Sequence, residues 1–227
     1  MKINCITIDK NNISLLEKNK FEVFNGYTPK TLPRFHVPQK KGASIGTDKE
    51  HACLLSHLKC IEQALQNQSD NYIFICEDDI IFKWVYLQEI EEHIKKTAPD
   101  HWECLQLYTN NYKAIYELGY KYSEKNEYWC PWNRNFWSTM LYVIKRESAS
   151  KLLNWFKSND GTWDFSNVQQ GKLVADDVLY RYLNTYTSTL PLVDADNKKS
   201  NIHPNHMQLH KTASKTNEMI RFYLPKE

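Results

Sequence analysis

Residues 72–82 have the sequence YIFICEDDIIF, and this stretch decides the fold. Its apolar part is long enough for a buried strand, and it ends in Glu77, Asp78 and Asp79 before apolar residues resume. Three adjacent carboxylates repel one another and are costly to desolvate. A divalent cation would relieve that repulsion, and Mg²⁺ or Mn²⁺ commonly bridges carboxylates to substrate phosphates. The stretch therefore predicts a metal site, with an acidic surface turn as the alternative interpretation.

The composition is typical of one folded domain. The chain has 227 residues, of which 41% are hydrophobic, so it is long enough to bury a sizeable core. Its 29 basic and 27 acidic residues are well mixed, and no basic block is large enough to bind nucleic acid through phosphate contacts alone. The 7 Trp and 14 Tyr could stack on sugars or bases, but for any single ring the favoured interpretation is that it fills the core.

The cysteines are scattered and several lie in apolar runs. They form no Cys-x-x-Cys pair, which argues against a zinc cluster and favours free thiols in a reducing compartment. We see no N-terminal signal and no apolar stretch of 18 residues, so we expect a soluble, cytoplasmic protein without a transmembrane segment. Peripheral membrane contact stays open. The six cysteines are Cys5, Cys53, Cys60, Cys76, Cys104 and Cys130.

Hydrophobic periodicity predicts the elements that surround the acidic stretch. Leu54, Leu58, Ile61 and Leu65 form one apolar stripe, which predicts a helix capped by Thr47 or Asp48. The other elements predicted up to residue 108 are strands at 3–8, 21–24 and 104–108, helices at 9–20 and 85–96, and an irregular loop at 27–48. Beyond it we predict no regular element at 109–137, strands at 140–144 and 189–193, helices at 147–156 and 176–183, and a polar tail from 194 that loops over the surface.

Strands and helices alternate as far as residue 108. That order predicts an α/β fold of the Rossmann type, a single domain with a mostly parallel central sheet flanked by helices. Ligands of such sheets bind beyond the carboxyl ends of the strands. Glu77, Asp78 and Asp79 come at such an end, which strengthens the metal interpretation.

Two segments resemble glycosyltransferase family 25, which includes bacterial lipopolysaccharide galactosyltransferases and collagen galactosyltransferases. Residues 44–59, SIGTDKEHACLLSHLK, are similar to its Gly-containing segment and Leu-Ser-His helix, and residues 74–80, FICEDDI, to its Leu-Glu-Asp-Asp-Val motif. Residues 136–144 and the pair Asp176–Asp177 resemble later family positions. The segment 9–12, DKNN, lacks the arginine that usually follows the first strand of family members.

The resemblance implies a GT-A fold and a metal-dependent inverting glycosyltransferase. Such an enzyme uses Mn²⁺ or Mg²⁺ and a nucleotide-diphosphate sugar, with a UDP-sugar as our first choice, and it transfers the sugar to a hydroxyl of a glycan or glycoconjugate. Within one domain of residues 1–227, we expect residues 1–108 to bind the nucleotide sugar and 109–195 to form the acceptor side. Residues 196–227 form the tail.

The same resemblance, together with strand geometry, yields the expected site. On a strand, Glu77 and Asp79 would share one face; if the strand has already ended, Asp78 could take either role. A helix cap or a satisfied core histidine is the ordinary structural alternative for several of these residues. We expect metal ligands at Asp79, Glu77 and His206; donor contacts from Thr7, Ile8, Asp9, Ser56, His57, Lys59, Glu77 and Asp78; and a catalytic base at Asp177 or, second, Asp176.

Two other functions fit parts of the sequence. A metal-dependent phosphohydrolase or nuclease could use the same carboxylates, but it would need two-metal spacing and more converging acidic residues, and the sequence has no second dense acidic cluster before Asp176. A non-catalytic carbohydrate-binding protein could use Trp129, Trp132 and Trp137, although most such modules are all-β rather than alternating.

Overall fold

The computed structural model describes residues 2–38, 43–196 and 207–223. The helices in the described chain are α1 (Ile13–Lys18), α2 (Asp48–Asn67), α3 (Leu87–Thr97), α4 (Tyr112–Lys125), α5 (Arg146–Phe156), α6 (Ala175–Arg181) and α7 (Met207–Tyr223), with a 3₁₀ turn at Lys10–Asn12. The strands are β1 (Ile3–Thr7), β2 (Phe21–Asn25), β3 (Phe35–His36), β4 (Ala43–Ser44), β5 (Tyr72–Glu77), β6 (Ile80–Ile81), β7 (Cys104–Gln106), β8 (Trp129–Pro131), β9 (Leu141–Lys145), β10 (Trp163–Asp164), β11 (Gly171–Lys172), β12 (Thr185–Ser188) and β13 (Asp194–Ala195).

A seven-stranded sheet, with strand order β2-β1-β5-β9-β7-β12-β8, forms the centre of the fold. β1 runs parallel to β2 and β5, and β12 runs parallel to β7 and antiparallel to β8. The predicted α/β fold with a mostly parallel sheet and flanking helices is therefore confirmed. The chain folds as two compact units, Met1–Asp78 with Ile144–Leu183, and Asp79–Val143 with Asn184–Glu227.

In the first unit, β1 lies between β2 and β5. Ile6 pairs with Phe24 on one side and with Glu77 on the other, so all three strands end at the same edge of the sheet. The chain leaves β1 for β2 on one side and reaches β5 on the other. Ligands of open α/β sheets bind beyond the carboxyl ends of the strands, at such a reversal of strand order.

Helix α2 packs against β1 and β5. Its predicted stripe is buried at Leu54, Leu58 and Ile61, each at most 1% exposed. The predicted cap is confirmed as a capping box: the Thr47 N–H donates to Glu50 Oε2 at 2.8 Å, and the Glu50 N–H donates to Thr47 Oγ1 at 3.3 Å. The helix ends next to Arg146, which donates to the carbonyl of Gln68 at 2.5 Å.

In the second unit, Gln106 holds the sheet to the aromatic segment that follows α4. Its buried Nε2 donates to the carbonyls of Phe136 at 2.7 Å and Ser138 at 2.9 Å, and its Oε1 accepts from Thr187 Oγ1 at 2.7 Å. Phe136 is fully buried and Trp129 is 8% exposed, so these two rings belong to the core.

Several predicted elements were wrong. Residues 109–137 contain α4, in which Ile115, Leu118 and Tyr122 are buried at helical spacing, so the prediction of no regular element there missed an apolar stripe. The last strand of the main sheet lies at 185–188 rather than 189–193, since residues 189–193 follow it without strand structure. The polar tail contains α7, which packs on α4. The helix expected at 9–20 is a 3₁₀ turn followed by the short α1, on which Leu15 is 58% exposed.

Candidate functional site

The acidic stretch reaches the sheet edge as the sequence predicts, but the strand ends at Glu77. Asp78 and Asp79 lie in the turn between β5 and β6, so the period-two alternation of a strand does not extend to Asp79. The arrangement is thus the one in which the strand has already ended. With the strand ended, Asp78 is the residue that could take either of the roles considered for Glu77 and Asp79 at the carboxyl end of β5.

Asp78 is tied to the end of β1. Its Oδ2 accepts a hydrogen bond of 2.5 Å from the hydroxyl of Thr7 and one of 3.2 Å from Nδ2 of Asn12. Both donors are neutral groups, so they orient the carboxylate without neutralising its charge. The structure therefore brings together Thr7 and Asp78, two of the residues that the sequence assigns to donor binding.

Glu77 turns toward helix α2. Its Oε1 lies 3.4 Å from Nε2 of His57, which is only 1% exposed, whereas the Glu77 side chain is 29% exposed. Cys53, one helical turn before His57, completes a cluster with these two side chains. Neither Cys53 nor Asn12 was among the site residues predicted from the sequence. The only sequence signal for Cys53 is its spacing of four residues from His57 on one helix face.

The other residues expected at the end of β1 shape its turn. The Asp9 side chain accepts from the backbone N–H of Asn11 at 2.9 Å and so caps the 3₁₀ turn, while the Asp9 N–H donates to Thr7 Oγ1 at 3.0 Å. Ile8 lies between them with 43% of its surface exposed. At the end of β1, the Ile8 side chain is therefore exposed, and the Thr7 hydroxyl is already hydrogen-bonded to Asp78.

Ser56 and Lys59 make contacts away from the acidic turn. The buried Ser56 hydroxyl accepts from the Tyr27 N–H at 2.7 Å and donates to the Ala52 carbonyl at 2.6 Å. Lys59 pairs with Glu62 on its own helix at 2.5 Å. These contacts give both residues structural roles on α2.

Asp176 and Asp177 begin helix α6, and their environments differ. Asp177 is 8% exposed; its Oδ2 accepts from the Lys172 N–H at 2.6 Å, and its Oδ1 pairs with the Arg181 guanidinium. Asp176 is half-buried and accepts from the Asp177 N–H at 3.0 Å. Burial, with the adjacent charge of Asp177, raises the pKa of Asp176 to about 6. Asp176 is thus the carboxylate whose proton affinity is shifted toward neutral pH.

Asp79, in the second unit, lies where the C-terminal part of the chain pairs with the acidic turn. Its carbonyl accepts from the Asp196 N–H at 2.6 Å, and β13 pairs antiparallel with β6. Burial, with the nearby charges of Asp194 and Asp79, raises the pKa of Tyr108 well above its usual value. The proposed ligand His206 lies outside the described residues.

Residues 7–167 match the sequence profile of glycosyltransferase family 25, described as LPS biosynthesis protein. The chain belongs to glycosyltransferase family 25. As a family 25 glycosyltransferase, the enzyme acts on a sugar donor and an acceptor. Membership decides between the three functional classes considered from the sequence, in favour of glycosyl transfer and against a phosphohydrolase, a nuclease or a non-catalytic binding protein.

Two solved structures are similar to this family 25 chain. One is A197 from STIV, with 12% identity, a TM-score of 0.42, and coverage of 86% of this chain and 83% of that protein. The other is apo mouse xyloside xylosyltransferase 1, with 9% identity, a TM-score of 0.37, and coverage of 80% and 67%. No curated protein sequence matches the chain. Among its described helices, none combines the length and apolar character needed to cross a membrane.

Proposed function

We propose that this family 25 enzyme transfers a sugar, with inversion, from a nucleotide-diphosphate sugar to a hydroxyl of a glycan or glycoconjugate, and that it requires Mn²⁺ or Mg²⁺. The observation that supports this most is the bond between Thr7 and Asp78. It holds a carboxylate at the sheet edge where the order of β2, β1 and β5 reverses. A nucleotide bound there would have its phosphates next to the acidic turn.

The end of β1 is the proposed nucleotide site. Ile8 offers an exposed apolar surface on which a base can pack, and Asp9 is fixed by the turn beside it. Thr7 is engaged with Asp78, so its proposed role is to position that carboxylate rather than to contact the donor directly. A UDP-sugar remains our first choice of donor.

The residues of the acidic turn suit a hard cation. Asp78 receives only neutral donors in the two hydrogen bonds described above, and Glu77 is partly open to solvent. Carboxylate oxygens of this kind are ligands for Mn²⁺ and Mg²⁺. We propose Asp78 and Glu77 as ligands, and Asp79 remains the further ligand predicted from the sequence. A bound cation would stabilise the negative charge that develops on the diphosphate leaving group.

Asp176 is the proposed catalytic base. A base must accept the proton of the acceptor hydroxyl as it attacks the anomeric carbon, and a pKa of about 6 leaves Asp176 ionised at neutral pH yet more basic than an ordinary aspartate. Asp177, the first choice from sequence, is bound to the Lys172 N–H and to Arg181. Those contacts fit a positioning residue, whose N–H donates to Asp176 at 3.0 Å.

The acceptor is proposed only by class. The family description names lipopolysaccharide biosynthesis, which supports a bacterial glycoconjugate as the acceptor. The predicted acceptor side, residues 109–195, includes the half-buried rings of Trp132 and Trp137. A cytoplasmic location and peripheral contact with a membrane surface remain predictions from the sequence.

A nucleotide-sugar screen tests this function. Wild type, Asp78→Asn and the exposed control Asp70→Asn would be incubated with UDP-, GDP- and TDP-sugars, with Mn²⁺ or with a chelator, and nucleoside diphosphate release would be measured. We expect release with one nucleotide class, only with metal, and a loss of at least about 100-fold in Asp78→Asn. Metal-independent release, or full activity of Asp78→Asn, would contradict the proposal.

A further inference from the structure

Three side chains with metal-binding chemistry meet behind the acidic turn. Cys53 and His57 lie one turn apart on α2, and Glu77 ends β5 opposite them. The ligand atoms of the three side chains all lie within 4.8 Å of one another, and His57 Nε2 is 3.4 Å from Glu77 Oε1. A cation held by all three would need only small side-chain adjustments.

We propose that Cys53, His57 and Glu77 form a second cation site, selective for Zn²⁺ over Mn²⁺ and Mg²⁺. Thiolate, imidazole and carboxylate are the three ligand types of protein zinc sites. A sulfur and a nitrogen ligand disfavour Mg²⁺ and Mn²⁺, which prefer oxygen and bind more weakly in the divalent series. The site is chemically distinct from the all-carboxylate turn proposed for the donor.

Two side chains of the cluster formed by Cys53, His57 and Glu77 are partly open to solvent, and the third is buried. His57 is 1% exposed and held inside the helix–sheet packing, whereas Cys53 and Glu77 are half-buried. A cation could therefore reach the thiolate and the carboxylate from solvent and meet the fixed imidazole. Three protein ligands with one open position are a common arrangement for zinc.

The two cation sites share Glu77. This part of the inference rests on the proposed function, in which Glu77 is a ligand of the donor's cation. Zn²⁺ bound between Cys53 and His57 would hold Glu77 against α2 and withdraw it from the donor. The site would thus make sugar transfer sensitive to zinc through a residue, Cys53, that has no role in the transfer itself.

Cobalt spectroscopy tests the site independently of activity. Co²⁺ bound to a thiolate gives a charge-transfer band, and Cys53 is the thiol suited to report it because the other five cysteines are buried. We expect wild type to develop the band with one equivalent of Co²⁺ and Zn²⁺ to abolish it. Cys53→Ser should lack the band, and the matched control on the same helix, Cys60→Ala, should keep it.

Zinc affinity supplies the second readout. Competition with a chromophoric chelator should show at least about tenfold weaker binding in Cys53→Ser than in wild type. Because His57 is buried, His57→Gln would be interpreted only if its circular dichroism spectrum matches wild type. The absence of a cobalt band in wild type, or its persistence in Cys53→Ser, would overturn the proposal.

Activity separates this inference from the proposed function. With a donor identified, Zn²⁺ should inhibit Mn²⁺-dependent transfer in wild type, and Cys53→Ser should need at least about tenfold more Zn²⁺ for the same inhibition. Equal inhibition of the two proteins would overturn the shared role of Glu77. Failure of the nucleotide screen alone would leave the cobalt result to decide the zinc site.

Discussion

The hydroxyl of Thr7 donates a hydrogen bond of 2.5 Å to Oδ2 of Asp78, which joins the last residue of β1 to the turn after β5. Thr7 is 1% exposed, so this bond is shielded from water. The same carboxylate oxygen also accepts from Asn12. One side chain of the acidic turn is thereby held at the strand edge where a nucleotide is proposed to bind.

Replacing Thr7 by valine removes this bond and keeps the shape of the side chain. A hydrogen bond to a charged group contributes about 1.5 to 3 kcal/mol, so we expect kcat/KM for transfer to fall by at least about tenfold in Thr7→Val. The exposed turn variant Thr31→Val serves as control. Steady-state kinetics with saturating Mn²⁺ gives the comparison, and unchanged kinetics in Thr7→Val would show that the bond does not position the metal site.

Asp176 sets the pH dependence of transfer. Its carboxylate must be ionised to accept a proton, and burial raises its pKa to about 6, so kcat/KM should rise with pH through an apparent pKa near 6. Asp176→Asn should lower the rate by roughly 10²- to 10⁴-fold. The control is Asp160→Asn, because hydrogen bonds from Ser158 and Thr162 lower the pKa of Asp160 to about 2. A pH profile with no limb near 6 would exclude Asp176 as the base.

The same carboxylate lowers stability at neutral pH. Because the folded-state pKa of Asp176 is raised from 3.8 to about 6, the folded protein binds more protons than the unfolded chain between these values. Its favourable contribution is present below pH 3.8 and is lost as the pH rises through about 6. Asp176→Asn should therefore raise the free energy of unfolding at pH 7.5 by roughly 1 to 3 kcal/mol. Urea unfolding at pH 5 and pH 7.5 measures this: the variant should gain less stability at pH 5, and an equal change at both values would contradict the account.

Arg146 stabilises the end of the helix that positions His57. Its guanidinium donates to the carbonyls of Gln68 and Leu65, where α2 leaves backbone groups without intrahelical partners. Arg146→Met should cost about 1 to 3 kcal/mol of unfolding free energy, while the exposed control Arg134→Met should change it little. Thermal unfolding of both variants decides this point, and a melting temperature of Arg146→Met equal to wild type would refute the capping role.

The sequence predicted those parts of the first unit whose patterns are strong. The stripe Leu54, Leu58 and Ile61 has the helical period, and the capping signal of Thr47 and Glu50 stands at its start. The buried run of β5 is interrupted sharply by charge, so the sequence placed its end among the three carboxylates but left open whether the strand continued to Asp79. Each of these patterns has a single physical cause. The stripe of α2 reflects the burial of one helix face, and the end of β5 reflects the cost of burying charge.

In the second unit, the helices α4 and α7 were missed because their buried and exposed faces differ little in residue type. On α4, Ile115, Leu118 and Tyr122 are buried, but Tyr116 and Tyr120 are exposed, so aromatic residues lie on both faces. In α7 the buried residues include Ser214, whose hydroxyl donates to the buried Asp194 at 2.7 Å. Hydrophobic periodicity does not detect a polar buried face such as that of α7, which hydrogen bonds stabilise.

At the site, residue types were predictable and contacts were not. The sequence pointed to Glu77 and Asp78, but only tertiary structure shows that one faces His57 and the other Thr7. The raised pKa of Asp176 likewise comes from burial and from the adjacent Asp177, which pairs with Arg181. These effects depend on distances between residues far apart in the chain.

The most direct test of the account is calorimetric binding of UDP to wild type and to Asp78→Asn, with and without Mn²⁺. The account predicts that wild type binds UDP at least about tenfold more tightly with Mn²⁺ than without it, and that Asp78→Asn shows no such gain. If Asp78→Asn kept the full gain, or if wild type bound UDP equally well without metal, the carboxylate that Thr7 holds would not be the cation ligand for the donor.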